Sequence, residues 1–120
     1  MVNVHSTVGT LVLVAFLAVT VLNLIQLVQK RDFSWAIMVS RTAALLLLVQ
    51  WALGFNLLVG ESTISPFHYL VALASAGTVG LEHGPGYNDP DPVKRRKIAL
   101  AATLGTTILV LIAYLIGQSR

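Results

Sequence analysis

Apolar residues in this chain form long continuous runs that charged residues interrupt at only a few points. A helix rises about 1.5 Å per residue, so crossing a hydrocarbon core about 30 Å thick takes about 20 mostly apolar residues. Four stretches without Asp, Glu, Lys or Arg are 24, 19, 20 and 22 residues long and comprise residues 6–29, 42–60, 62–81 and 98–119. The pattern therefore predicts four transmembrane helices, at approximately residues 4–29, 34–60, 66–82 and 95–117.

The connections between these helices are short and contain residues that end or begin helices. Pro66 is placed to start the third helix, because the first residue of a helix needs no backbone N–H. The third connection carries Gly-Pro-Gly at residues 84–86 and Asn-Asp-Pro-Asp-Pro at residues 88–92, which break a helix. We do not expect the first stretch to be a secretory signal, since its apolar run is too long and no basic residues precede it. We expect an all-α integral membrane protein, a four-transmembrane-helix bundle in one domain of residues 1–120.

Composition excludes several classes of protein. The chain is 56% hydrophobic and 11% charged, with a mean hydropathy of +0.80, whereas about a quarter of the residues in a soluble domain are charged. A soluble enzyme and a disordered tail are therefore excluded. The absence of cysteine also excludes a disulfide scaffold, cysteine-ligated zinc and iron–sulfur clusters.

The basic residues predict the orientation in the membrane. Seven of the eight Lys and Arg residues fall on one side of the predicted helices, which the positive-inside rule assigns to the cytoplasm. Both termini and the loop around Glu61 then face outward from the cell (inner or plasma) membrane. The basic run at residues 94–97 is interpreted as a topology anchor, with contact to anionic lipid as the alternative. Nucleic acid is not an expected partner, because no basic surface is lined by aromatic residues.

Two of the three histidines are expected at the same depth in the membrane. His5 opens the first helix, and His68 lies two residues after the Pro66 that begins the third. These helices run parallel, so both imidazoles arrive near the outward face, where they suit bis-histidine ligation of a haem iron. His83 is expected on the opposite side, beside Glu82. The alternatives are that both are interfacial histidines at the headgroup level, or that they form a two-histidine metal site without haem.

Small residues beside each histidine would leave room for a flat porphyrin. Gly9 lies four residues after His5 and Ala72 four after His68, so each shares a helix face with its histidine. On the second helix, Gln50 faces either a partner helix or a cofactor, and Gly54 permits close approach. The His5 face continues as an apolar wall with Val12, Phe16 and Val19. The expected haem-binding set is His5, Gly9, Gln50, Gly54, His68 and Ala72.

Other polar residues lie near the cytoplasmic end of the first two helices. Asn23 and Gln26 are three residues apart and could meet Arg41, which lies about two turns into the second helix. We interpret them as an interhelical hydrogen-bond cluster that holds the hairpin, in preference to a proton path.

The run Leu-Val-Gln-Trp-Ala-Leu-Gly at residues 48–54, followed by Pro-Phe-His-Tyr-Leu-Val-Ala at residues 66–72, resembles the haem-binding half of heme A synthases. In that family a helix with a Gln-x-x-x-Gly element leads into an outer loop and a helix that begins with a haem-ligating histidine. Residues 5–9 are similar to the matching first histidine helix, and Arg41 to the arginine that opens the intervening helix. The resemblance covers roughly residues 4–80. It implies a four-helix bundle with a b-type haem near the outer surface, ligated by His5 and His68.

The chain also departs from that family. Ser6 stands where the synthases usually carry Arg, no glutamate lies on the outer half of a helix, and the outer-loop cysteine pair is absent. We therefore expect a non-catalytic, cytochrome b-like relative that holds haem b for electron transfer, with a quinone or a larger respiratory or photosynthetic membrane complex as partner. The alternatives are a cofactor-free structural accessory subunit of a membrane complex, and a heme A synthase-like enzyme that forms its two haem sites as a homodimer.

Overall fold

The computed structural model describes residues 2–59 and 66–118, with side chains for residues 4–55 and 66–116, and this part of the chain is helical without strands. The expected all-helical fold is confirmed. The predicted connector at residues 61–65 and Arg120 lie outside the described residues. The helices are α1 (Val2–Gln29), α2 (Ala36–Val59), α3 (Pro66–His83), the single turn α4 (Pro85–Asn88) and α5 (Pro92–Gln118).

The connection between α3 and α5 is more ordered than the sequence suggested. It contains α4, and α5 begins at Pro92 instead of near residue 95. The reason is a side-chain cap, because Asp91 Oδ1 accepts the backbone N–H of Val93 at 3.0 Å while Pro92 takes the first helical position. Asp91 and Pro92, which were predicted only to break a helix, therefore start α5.

Three of the helices are long and apolar enough to cross a membrane: Val4–Gln29, Ala36–Phe55 and Pro92–Ile116. The third predicted span, α3, is 18 residues long and does not meet that criterion. It carries His68 near its start and Glu82 and His83 at its end, and these polar residues lower its mean hydropathy.

The helices do not pack as a closed ring. Helix α1 packs against α2 and α5, and α5 packs against α3 and α4. Among the described residues, α2 and α3 have no extensive contact, although they follow each other in the chain. The packing order is therefore α2, α1, α5, α3, with one open side between α2 and α3.

The hydrophobic core lies where α1 meets α2 and α5. Val12, Phe16 and Val19 of α1 are buried there with Leu47 of α2 and Val110 of α5. The sequence predicted that Val12, Phe16 and Val19 form one wall of a cofactor pocket. Only Val12 borders the cavity described below. Phe16 and Val19 instead pack in the core beneath it, because the neighbouring helices cover that part of α1.

Side-chain hydrogen bonds bridge the contacts that α5 makes. Thr and Asn side chains satisfy one another within apolar surroundings, where an unpaired polar group would be costly. The pairs are Thr20–Thr107 (3.0 Å), Asn23–Thr103 (3.0 Å) and Thr106–Thr78 (2.6 Å).

Ion pairs join the α1–α2 connection to the start of α5. Arg95 Nη2 and Arg96 Nε each donate to the carboxylate of Asp32 at 2.8 Å. The basic residues of both connections therefore lie at one end of the bundle. His5, near the start of α1, lies toward the other end.

Candidate functional site

All six residues of the expected haem-binding set border one cavity of about 620 Å³. This volume lies within the range of about 300 to 1,000 Å³ that is typical of sites for small molecules and cofactors. The cavity lies between α1, α2, α3 and α5, and it includes the open side between α2 and α3. Its members from the expected set are His5, Gly9, Gln50, Gly54, His68 and Ala72.

The two histidines meet inside this cavity. His5 is 8% exposed and His68 is 9% exposed. Their ring centroids are 6.4 Å apart, and the ring planes are at 79° to each other. Two imidazoles from helices far apart in the sequence thus lie at one level of the bundle, in an edge-to-face arrangement.

One nitrogen of the His68 ring has a fixed role. Nδ1 lies 2.7 Å from the backbone carbonyl oxygen of Ala113 on α5. A carbonyl can only accept, so Nδ1 carries the proton and donates it. Nε2 of the neutral ring then has its lone pair available, which is the arrangement found in histidines that ligate metals. The backbone of α5 therefore orients the His68 ring.

The two glycines admit side chains from the neighbouring helix. A Cβ at Gly54 would lie 3.2 Å from Cε1 of His5, and a Cβ at Gly9 would lie 2.9 Å from Nε2 of Gln50. The same Gln50 nitrogen is 3.5 Å from His5 Nε2. The sequence interpreted Gly9 as room for a porphyrin. Gly9 borders the cavity, and it also makes room for Gln50, so that α1 and α2 can bring Gln50 beside His5.

The structure adds detail at Gln50, which was predicted, and adds residues to the cavity that were not predicted. Gln50 Oε1 and Trp51 Nε1 are buried without a hydrogen-bond partner among the described residues. The predicted set included no residue of α5, so it overlooked the Ala113 carbonyl and Tyr114, which also borders the cavity. A backbone carbonyl has no sequence signal, whereas a tyrosine within an apolar helix is a signal that could have been used.

The described side chains include no cluster of three or more His, Cys, Asp or Glu residues that could hold a metal ion. A porphyrin brings four nitrogen ligands of its own and needs only one or two axial side chains from the protein. Among the described residues the cavity offers two imidazoles and no carboxylate, a donor set that is compatible with haem.

A second polar site, at the other end of α3, was not predicted as such. Glu82 is completely buried. Its Oε2 accepts hydrogen bonds from Ser40 of α2 and from the Tyr87 hydroxyl of α4, the latter at 2.8 Å. His83 does lie beside Glu82, as expected, with Nε2 3.6 Å from Oε1.

The cluster of Asn23 and Gln26 has different partners from those expected. Asn23 bonds to Thr103 of α5, while Gln26 bonds to Asn23 at 3.2 Å and accepts the backbone N–H of Phe33 at 3.0 Å. Arg41 is exposed on α2. The two amides therefore hold α1 to α5 and to the first connection, because the α1 face that carries them turns toward α5.

No family model matches the chain, and no curated protein or solved structure is significantly similar to it. The resemblance to heme A synthases therefore stays a prediction that rests on the quoted residues.

Proposed function

We propose that the chain spans a membrane as a four-helix bundle with both termini on the extracytoplasmic side. Three helices of sufficient length and apolarity support insertion in a membrane, and the fourth crossing is proposed for α3, which packs against α5. Their outward faces also support it, since residues such as Leu11, Val14 and Leu17 of α1 are about half exposed. The basic connections lie together at one end through Asp32, Arg95 and Arg96. Positive-inside bias places that end in the cytoplasm.

We further propose that the cavity binds a b-type haem, with His5 and His68 as axial ligands. The observation that carries this proposal is the separation of the two rings. Imidazoles that coordinate one metal ion from opposite sides, each about 2 Å from it, have ring centroids about 6 Å apart. The observed separation is 6.4 Å, and His68 Nδ1 donates to a carbonyl as metal-bound histidines do.

The shape of the bundle supports the same proposal. A flat cofactor between His5 and His68 would occupy the open side between α2 and α3, where the described residues make no extensive contact. Ala72 borders the cavity on α3 and leaves space at the level of a ring. Gln50 Oε1 and Trp51 Nε1, which have no hydrogen-bond partner among the described residues, are polar groups available to a cofactor there.

The proposed activity is the transfer of single electrons between a quinone or a larger membrane complex and a partner on the outer face. Haem supplies the one-electron redox chemistry. The chain's contribution is to orient His68 through Ala113, to place Gln50 beside His5 and to surround the site with apolar side chains, which control the potential through the local dielectric.

The test is a dithionite-reduced minus oxidised absorption spectrum of the full chain purified from haem-replete cells. We expect the sharp α band of haem b in the wild type and in His83→Ala, the control variant, because His83 lies at the end of α3 away from the cavity. His5→Ala and His68→Ala should each lose the band, because each removes an axial ligand.

If no haem co-purifies with the wild type, the proposal is wrong, and a cofactor-free accessory subunit becomes the better interpretation. Appearance of a chemically modified haem, checked by extraction and mass analysis, would instead support the synthase-like enzyme.

A further inference from the structure

A buried carboxylate with an incomplete set of partners lies at the end of the bundle opposite the histidines. Glu82 is 0% exposed. Oε2 accepts two hydrogen bonds, from Ser40 and Tyr87. Oε1 is buried without a hydrogen-bond partner among the described residues. Because a buried polar oxygen without a partner is costly, Oε1 is the atom at which this site can gain a proton or a donor.

His83 connects this oxygen to the surface. Its Nε2 is 3.6 Å from Glu82 Oε1, which is too long for a direct hydrogen bond, and it also lacks a hydrogen-bond partner among the described residues. The His83 side chain is 25% exposed. One ring therefore contacts both solvent and a buried carboxylate, and imidazole exchanges protons readily near neutral pH.

The other charged and titratable groups around Glu82 come from three helices. On α4, Tyr87 stays protonated as a donor because burial raises the pKa of its hydroxyl. On α2, Arg41 lies close enough to act on Tyr87 electrostatically. On α5, Arg95 and Arg96 border a small cleft that Tyr87 also lines, but both are paired with Asp32. None of these groups gives Oε1 a hydrogen bond.

A row of hydroxyl groups leads from Glu82 toward the histidine cavity on the same face of α3. Thr78 lies four residues before Glu82, and its Oγ1 accepts a hydrogen bond from Thr106 at 2.6 Å. Ser75 follows one turn further, is completely buried, and borders the cavity. Thr78 Oγ1 donates to the Ser75 backbone carbonyl at 3.0 Å, and Ser75 Oγ donates to the backbone carbonyl of Ala72, which borders the cavity.

We propose that Glu82 is a reversible proton-binding site that is loaded through His83 and communicates along Thr78 and Ser75 with the histidine cavity. The carboxylate binds one proton from the cytoplasmic side and becomes a neutral carboxylic acid. When an external one-electron donor delivers an electron to the cavity, this proton offsets the added charge. The coupling to the cavity rests on the proposed function, whereas proton binding at Glu82 does not.

The first measurement uses the fact that the chain contains only two glutamates, Glu61 and Glu82. In Glu61→Gln protein made with carboxyl-¹³C glutamate and placed in lipid nanodiscs, Glu82 is the only glutamate carboxyl. We expect its NMR signal to titrate reversibly between about pH 4 and about pH 9. Ser40→Ala removes a donor to Oε2, and His83→Ala removes the neighbouring ring, so each should move the midpoint by about one pH unit.

A signal that keeps one protonation state throughout this range overturns the proposal, as does a midpoint that neither variant moves. Ser40→Ala and His83→Ala both retain Glu82, so the result does not depend on whether a Glu82 variant folds.

The second measurement addresses the coupling. The midpoint potential of the haem should depend on pH in Glu61→Gln protein and should lose most of that dependence when Glu82→Gln is added. Equal pH dependence with and without Glu82→Gln overturns the coupling while leaving proton binding intact. If the protein binds no haem, the proposed function and the coupling fail together, and the NMR titration still decides proton binding.

Discussion

The two sides of the bundle differ in whether their buried polar side chains have hydrogen-bond partners. Where α5 packs against α1 and α3, polar side chains bond to one another, as in the Thr20–Thr107 and Asn23–Thr103 pairs. On the side where α2 faces α3, Ser40 bonds to Glu82 at one end, but at the histidine end Gln50 has a buried oxygen with no partner among the described residues. Polar residues cost energy within a membrane unless they are satisfied. The difference therefore separates polar groups that hold helices together from polar groups that are available to a ligand.

The largest effect is expected from filling the open side. Ala72→Phe places a ring in the cavity, so we expect loss of nearly all bound haem while the bundle still folds, because the α5 contacts are unchanged. The measurements are haem content by absorption and the unfolding transition in detergent.

The matched control for that variant is Ala74→Phe. Ala74 is on the same helix but is exposed and does not border the cavity, so its haem content should stay at the wild-type value. Equal haem content in the two phenylalanine variants would show that the cavity is not where haem binds.

A smaller, purely structural effect is expected on the closed side. Asn23→Ala removes the bond to Thr103 and leaves Gln26 without its acceptor. Hydrogen bonds between membrane helices contribute about 0.6 kcal/mol on average and up to about 1.7 kcal/mol, so we expect a loss of about 1 kcal/mol in the free energy of unfolding.

The control on the same helix is Leu24→Ala, since Leu24 faces outward and its truncation should have less effect. Haem content per folded protein should be normal in Asn23→Ala. A variant that folds normally yet loses haem would contradict the assignment of this side to structure alone.

The all-helical fold could be predicted because it follows from long apolar runs, the few charged residues between them and the Pro and Gly residues that bound the helices. The predicted limits 66–82 for the third helix agree closely with Pro66–His83, since a proline starts it and a Gly-Pro-Gly run ends it. The proximity of His5 and His68 could be predicted because both lie near the first residue of helices that run parallel. These features are local, or follow from alternating helix direction.

The remaining features depend on tertiary packing. The partner of His68 is the backbone carbonyl of Ala113, and every residue of α5 has such a group. The burial of Glu82 depends on α4, which brings Tyr87 back over it and which the sequence described only as a loop. The glycine at position 9 indicated that another group approaches α1 closely there, but it did not identify Gln50 as that group.

The smallest effect is expected at Asp32, which joins the two basic connections and belongs to neither side of the bundle. Hydrogen bonding from Arg96 is the main reason that the pKa of Asp32 lies below its ordinary value of 3.8. A lowered pKa means that the carboxylate stabilises the fold at pH values above 3.8 and loses this contribution as the pH falls through its lowered pKa.

The Asp32 side chain is 47% exposed, so Asp32→Asn should lower the free energy of unfolding by less than about 1 kcal/mol near neutral pH. The difference in stability between wild type and Asp32→Asn should shrink in high salt and disappear in strong acid, whereas the Asn23→Ala effect should change little with either, because no charge is involved. A salt-independent Asp32→Asn effect would mean that the carboxylate acts through packing, and the two basic connections would then be held together by something other than their ion pairs.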